Sequence, residues 1–157
     1  MSRPTTDVAV TLIRNSKNEV LLVYSESWGS YTLPMTKRRL PPPDDVKSAG
    51  EAEDWLDAAA RNVVECLGRP SMPKPVLKSP VPESHFSKRA QVTKDYFFHV
   101  FEERFSENAD RVVVKTPYLW VAPEQILQRL IRPLSHTAHD LIAHDEIVKV
   151  CVSWKLP

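Results

Sequence analysis

A helical pattern in the middle of the chain separates two groups of strand-forming segments. Apolar residues recur with the i, i+3, i+4, i+7 and i+11 spacing of an amphipathic helix, at Leu56, Ala59, Ala60, Val63 and Leu67. Gly68 and Pro70 follow, and this pair is typical of a helix C-terminus. The pattern therefore predicts a helix over about 52–67.

Strand-forming residues lie on both sides of this helix. Before it, apolar and β-branched segments at 7–14 and 19–24 predict a hairpin, and the segment 31–34 predicts an edge strand. The segment 37–50 contains three consecutive prolines, which favour an extended loop. After the helix we expect three strands, at 92–101, 111–114 and 118–121. Two helices should follow, at 124–131 and from Ser135 onward. This order predicts a mixture of strands and helices in one domain.

Composition excludes several classes of protein. Only three of the 157 residues are glycine, at positions 29, 50 and 68, and this spacing excludes the glycine-rich phosphate loops of dinucleotide-binding and P-loop proteins. The net charge of +1 gives no general attraction for nucleic acid or an anionic membrane, so neither is expected as a partner. Two cysteines are too few for a disulfide framework. We expect a cytoplasmic protein.

Charged residues on the predicted helix have a characteristic spacing. Glu53 is followed by Arg61 after seven residues, and then by Val63, Glu65 and Gly68. This arrangement resembles the Nudix box, G-x5-E-x7-R-E-U-x-E-E-x-G-U, in which U is a bulky aliphatic residue. The resemblance continues outside the helix, where an aromatic-x-x-Pro segment precedes the box and a W-V strand follows it, at 31–34 and 119–121. It implies a Nudix-type α/β/α sandwich with a mixed central sheet, formed by a single domain over 1–157 with a proline-rich insertion at 37–50.

The resemblance also implies a reaction and the residues that carry it. Nudix enzymes hold Mg²⁺ (or Mn²⁺) on helix carboxylates against a diphosphate, and oxygen ligands suit these ions. On this basis Glu53 and Glu65 are the candidate metal ligands, and Arg61 is the residue that orients them. Glu53, Arg61 and Glu65 are therefore the candidate catalytic residues.

The chain departs from the box at several positions that matter for a metal. Asn62 replaces a carboxylate and Cys66 replaces a glutamate, while Met35 and Thr36 stand where the family has two glycines. Lys47 and Arg69 depart from the box as well. Positions 62, 65 and 66 lie on a common side of a helix, so Glu65 is the carboxylate left there, and a thiol is a soft ligand poorly suited to Mg²⁺. We therefore expect a weakened metal site.

Other constellations allow different interpretations. Asp57, Arg61 and Glu65 are spaced as two i, i+4 ion pairs, which would explain them without any site. His136, Asp140 and His144 have a spacing that could reach one metal, but no further ligand is identifiable, and helix capping by Ser135 or Thr137 is the preferred explanation of the segment. Basic side chains that could hold phosphate groups form two clusters, Lys37, Arg38 and Arg39, and Lys88 and Arg89.

Three functions remain open at this stage, and we favour the first because the loss of carboxylates from the box is already visible. The first is a Nudix-like module that binds a phosphorylated, nucleoside-diphosphate-type ligand or a partner, with hydrolysis lost or much reduced. The second is an active, Mg²⁺-dependent Nudix hydrolase in which another acid, such as Glu51, Glu102 or Glu103, completes the site. The third is a structural or interaction domain with a vestigial pocket. A small phosphorylated ligand is the expected partner, and a homodimer is compatible with the sequence.

Overall fold

The computed structural model describes residues 5–39, 53–87 and 91–155 of the chain. Within these residues a mixed sheet is formed by eight strands, β1 (Thr5–Arg14), β2 (Val20–Ser25), β3 (Ser30–Thr32), β4 (Met35–Lys37), β5 (Lys74–Pro75), β6 (Val81–Ser87), β7 (Val92–Arg104) and β8 (Tyr118–Val121). The helices are α1 (Trp55–Leu67), α2 (Pro123–Leu127), α3 (His136–Ala143) and α4 (Asp145–Ser153).

Strand β1 forms the centre of the sheet. It runs parallel to β7 over its whole length, from the pair Thr5 and Asp95 to the pair Arg14 and Arg104. It pairs antiparallel with β2 and β4, and the main order is β3-β2-β1-β7-β5. Strands β8 and β6 add to β2 and β7, respectively. Because β1 lies between neighbours and under helices, its apolar residues are buried on both faces.

Helices cover both faces of this sheet. On one face α1 packs through Ala58, Ala59 and Val63 against Ala9 and Ile13 of β1. On the other face the core joins β1 and β2 to α2, α3 and α4 through Val10, Leu12, Leu22, Ile126, Leu141 and Ile147. The predicted α/β/α sandwich with a mixed central sheet is confirmed. None of the described helices is long and apolar enough to cross a bilayer.

Several local predictions are confirmed. The first two strands form a hairpin, and β3 lies at an edge of the sheet. Helix α1 ends at Gly68, whose φ of 67° is the left-handed conformation that glycine adopts at low cost. Ser135 caps α3, its side chain accepting a hydrogen bond from the N–H of Ala138 at 3.0 Å.

Other local predictions are wrong. The segment 111–114 is not a strand, because the N–H of Val113 donates to the carbonyl of Cys66 at the end of α1 instead of to a sheet neighbour. The last helix is interrupted at His144, which has the extended ψ of 133° and caps α4. Helix α2 ends at Leu127, and Arg129 just beyond it has a φ of 57° that a continuing helix excludes.

The buried side of α1 is rotated from the predicted apolar stripe. Leu56 and Ala60 are half-buried, whereas Ala58, Asn62 and Cys66 are buried. The predicted proline-rich insertion lies outside the described residues from position 40 onward, and so do Lys47, Glu51, Lys88 and Arg89.

Candidate functional site

Arg61 is the centre of the candidate site. Its guanidinium binds Glu53 through two hydrogen bonds, Nη2 to Oε1 at 2.9 Å and Nε to Oε2 at 3.2 Å. It also donates to the side chain of Thr36 at 2.9 Å and to the carbonyl of Lys37 at 2.8 Å. A further hydrogen bond joins it to Glu65 at 3.2 Å. Arg61 therefore ties α1 to strand β4 and brings together the three predicted catalytic residues.

Glu53 is held by the main chain as well as by Arg61. The N–H of Arg39 donates to Glu53 Oε1 at 2.9 Å, and the N–H of Glu53 donates to the carbonyl of Arg39 at 2.9 Å. The hydrogen bond from Arg61 is the main cause that lowers the pKa of Glu53, and the same contact raises the pKa of Arg61. Glu53 is thus an ionised carboxylate whose oxygens are already engaged, and its visible role is to position the start of α1.

Glu65 differs from Glu53 in its surroundings. Its side chain is 52% exposed, against 16% for Glu53 and 19% for Arg61. Its contact with Arg61 is an i, i+4 pair on the helix surface, which holds a carboxylate only weakly. Of the three predicted catalytic residues, Glu65 is the one best placed to reach a ligand from solvent.

Asn62 and Cys66 face the sheet rather than solvent. The amide of Asn62 is buried and donates to the hydroxyl of Thr11 on β1 at 3.1 Å. Cys66 packs in the core cluster with Ile13, Leu21 and others, and burial raises the pKa of its thiol to about 12. The thiol is therefore protonated at neutral pH. Both residues act as packing groups where the Nudix box has carboxylates.

The donor set that remains does not fit a tightly held Mg²⁺ or Mn²⁺. Such ions are bound by several oxygen ligands, usually carboxylates. Within 5–39, 53–87 and 91–155, no three His, Cys, Asp or Glu side chains are grouped so that they could hold a metal. Glu102 accepts from the indole of Trp154 at 2.8 Å, and Glu103 lies 3.8 Å from Arg69, so neither joins Glu53 and Glu65. His136, Asp140 and His144 form no such group either.

The first basic cluster divides around the site. Lys37 and Arg39 have exposed side chains, and their main-chain groups bind Arg61 and Glu53, respectively. The guanidinium of Arg38 instead lies over the ring of Trp55, 4.7 Å from its centroid, and Trp55 also stacks on His99. Lys37 and Arg39 are consequently the two cations of this cluster whose side chains are exposed.

A cleft of about 170 Å³ includes one residue of strand β4, the strand whose Thr36 binds Arg61. Its lining is largely apolar and consists of Val23, Ser25, Trp28, Thr32, Leu33 and Met35. Met35 occupies a position where the Nudix pattern has glycine, and the next residue, Thr36, carries the hydroxyl that binds Arg61. Trp28 is 45% exposed and offers an aromatic face. Trp28 was not among the sequence-predicted site residues, and its position beside Gly29 in a turn is the sequence signal that could have indicated it.

Solved structures with a similar fold cover nearly the whole chain. The MutT protein from Methanosarcina mazei is 23% identical with a TM-score of 0.64, and the match covers 91% of this chain and 94% of that one. The MutT Nudix hydrolase from Burkholderia pseudomallei is 17% identical with a TM-score of 0.55, covering 91% and 99%. The Nudix domain of Shewanella oneidensis NrtR, solved in complex with ADP-ribose, is 16% identical with a TM-score of 0.53, covering 96% and 89%.

These matches are matches of fold. No family model and no curated protein matches the chain by sequence. The fold of the chain is that of the Nudix hydrolases, and the resemblance drawn from its residues is confirmed at this level.

Proposed function

We propose that this chain, which has the fold of the Nudix hydrolases, is a module that binds a phosphorylated ligand of the nucleoside-diphosphate type, with hydrolysis lost or much reduced. The observation that carries the proposal is the burial of Asn62 and Cys66 against the sheet. They stand where the family's box has carboxylates. Neither an amide bonded to Thr11 nor a protonated thiol can replace a carboxylate as a ligand of Mg²⁺.

Ligand binding is supported by the groups around Arg61. Lys37 and Arg39 have exposed side chains and contact Arg61 and Glu53 through their main chains, and cations of this kind bind phosphate oxygens. The neighbouring cleft carries the half-exposed ring of Trp28, on which a nucleobase could stack. A ligand that joins a base to a diphosphate would use both features, and the similar Nudix domain of NrtR was solved with ADP-ribose.

An active hydrolase remains the second candidate because of one observation. Arg61 bonds both Glu53 and Glu65, so the residues predicted to be catalytic are assembled around one guanidinium. In that case Glu65 would be required for turnover, since it is the exposed carboxylate of the group. The two candidates therefore differ in whether removal of the Glu65 carboxylate abolishes turnover.

The test uses the full chain and a panel of compounds that includes ADP-ribose, with Mg²⁺ or Mn²⁺ added. Phosphate or nucleotide release is measured together with the thermal-unfolding midpoint, because a ligand that binds the folded state raises that midpoint. The binding module predicts a rise without turnover. Turnover that is abolished in Glu65→Gln, and retained in the exposed control Glu146→Gln, would establish the hydrolase instead. If no compound raises the midpoint and none is hydrolysed, the pocket is vestigial and the proposal is wrong.

Three further expectations remain predictions. They are a cytoplasmic location, a single domain over 1–157 and phosphate binding by Lys88 and Arg89. Homodimer formation stays open, and sedimentation at several protein concentrations would decide it.

A further inference from the structure

A second cleft, of about 210 Å³, lies at the connection between α2 and α3. It is lined by Arg129, Ile131, Arg132, Leu134 and Ser135. None of these residues lies on α1 or β4, and none lines the first cleft. The second cleft is therefore separate from the site built around Arg61.

The main chain around this cleft is fixed to the sheet. The N–H of Tyr31 donates to the carbonyl of Pro133 at 2.9 Å, and the N–H of Ser135 donates to the carbonyl of Tyr31 at 2.9 Å. The hydroxyl of Ser135 also donates to Thr32 at 3.0 Å, inside the protein. Edge strand β3 thus holds one wall of the cleft, so a ligand would meet a preformed surface.

Two guanidinium groups give the cleft its chemical character. Arg129 and Arg132 are both exposed, and in the part of the chain that the structure describes neither pairs with a carboxylate. Arg129 has a φ of 57°, a backbone conformation that favours glycine. Local backbone preference therefore does not explain why an arginine stands at this position. The N-terminus of α3 begins at the same cleft, and its partial positive charge has the same sign as the two arginines.

We propose that the second cleft binds the phosphate group of a small ligand. Guanidinium groups bind phosphate oxygens through paired, charge-assisted hydrogen bonds. The half-buried side chains of Ile131 and Leu134 form the apolar part of the cleft lining. The proposal does not depend on the function proposed for α1, since the two sites share no residue.

The test titrates the isotope-labelled full chain with inorganic phosphate and, separately, with ribose 5-phosphate, at constant ionic strength maintained with chloride. Backbone NMR shifts report the location of binding. We expect saturable changes confined to the connection between α2 and α3 and the start of α3. Tighter binding of ribose 5-phosphate identifies a phosphate ester as the ligand class, whereas tighter binding of inorganic phosphate identifies the free anion. No saturable change in this region would overturn the proposal.

Matched variants separate specific contacts from general charge. Arg129→Gln and Arg132→Gln should each weaken binding about tenfold or more, the size of one lost charge-assisted contact. Arg111→Gln removes the same charge from an exposed arginine outside the cleft and should change affinity less than about twofold. Arg129→Gly removes the guanidinium while relieving the backbone, so a folding defect cannot explain its loss of binding. An equal loss of phosphate affinity in Arg111→Gln, or unchanged phosphate affinity in the cleft variants, would refute the site.

Arg61→Gln distinguishes this proposal from the function proposed above. It should impair binding of the nucleoside-diphosphate-type ligand at α1 and leave phosphate binding at the second cleft unchanged. Phosphate-induced shifts at α1 and β4 instead of at the second cleft would contradict the second site alone.

Discussion

Replacing Asn62 with aspartate is the most direct test of the buried face of α1. The change adds no atoms, but it converts an amide into a carboxyl group that is almost wholly removed from solvent. The amide now donates to Thr11 at 3.1 Å, and a carboxylate there could only accept a hydrogen bond from the same hydroxyl. The variant therefore places a charge between a helix and a sheet, where the hydroxyl of Thr11 is the side-chain hydrogen-bond partner that the structure gives to this position.

The expected cost follows from the degree of burial. Burial of this kind raises the pKa of a carboxyl by about two to three pH units, and each unit corresponds to about 1.4 kcal/mol. Asn62→Asp should thus lower the free energy of unfolding by about 3 to 4 kcal/mol at pH 7. Because the folded pKa lies above the unfolded one, the cost is absent at pH values below the unfolded pKa of about 3.9 and grows as the pH rises toward the folded pKa.

Urea unfolding at several pH values between 3 and 7 measures this cost. Asn108→Asp, at an exposed position, is the control and should change stability by less than about 0.5 kcal/mol. Wild-type stability of Asn62→Asp at pH 7 would show that the side chain reaches water. Saturable stabilisation of the variant by Mg²⁺ would show the same, and either result would remove the main support for the proposed function.

Three further predictions follow from contacts described above. A double-mutant cycle with Arg61→Ala and Glu53→Gln should give a coupling energy of about 1 to 2 kcal/mol in urea unfolding, and a value below about 0.3 kcal/mol would refute the bidentate pair. Because the pKa of Glu53 is lowered in the folded protein, the stabilisation by this carboxylate is present at neutral pH and is lost as the pH falls through the folded pKa. Cys66, with a pKa of about 12, should react with a thiol reagent only as fast as the chain unfolds, and fast labelling of this thiol in the native state would contradict its burial. Because the unfolded thiol ionises at about pH 8.5 and the folded one at about pH 12, Cys66 should lower the free energy of unfolding as the pH rises between these values, and Cys66→Ala should remove that contribution. Trp28→Ala should weaken ADP-ribose binding about tenfold or more in calorimetry while leaving the unfolding midpoint of the free protein nearly unchanged, and unchanged affinity would remove the cleft from the site.

The sandwich could be predicted from the sequence because its evidence is local. Strand β1 is apolar at both odd and even positions, which indicates burial on two faces. The end of α1 is marked by Gly68 and Pro70. By contrast, the valines at 112–114 have strand propensity, yet Val112 and Val114 pack beside α1, because propensity does not distinguish a sheet from another half-buried surface.

The state of the candidate site could not be predicted in the same way. Whether Asn62 is a ligand or a packing residue depends on Thr11, which is 51 positions away in the chain. The exchange of hydrogen bonds between Glu53 and Arg39 likewise joins residues that are 14 positions apart in the chain. The first cleft takes its walls from β2, β3, β4 and the turn before β3, so no contiguous pattern marks it.

The hydrogen bonds between Arg39 and Glu53 have a consequence for how this fold can be modified. They fasten the two ends of the segment 40–52 to each other, and Arg61 binds both ends through the carbonyl of Lys37 and the carboxylate of Glu53. The closure entropy of a loop grows only slowly with its length. None of these contacts uses a residue of 40–52, so we expect Arg39 and Glu53 to stay paired when the sequence between them is changed in length. Insertion of an epitope or a reporter there would test this expectation through the unfolding midpoint.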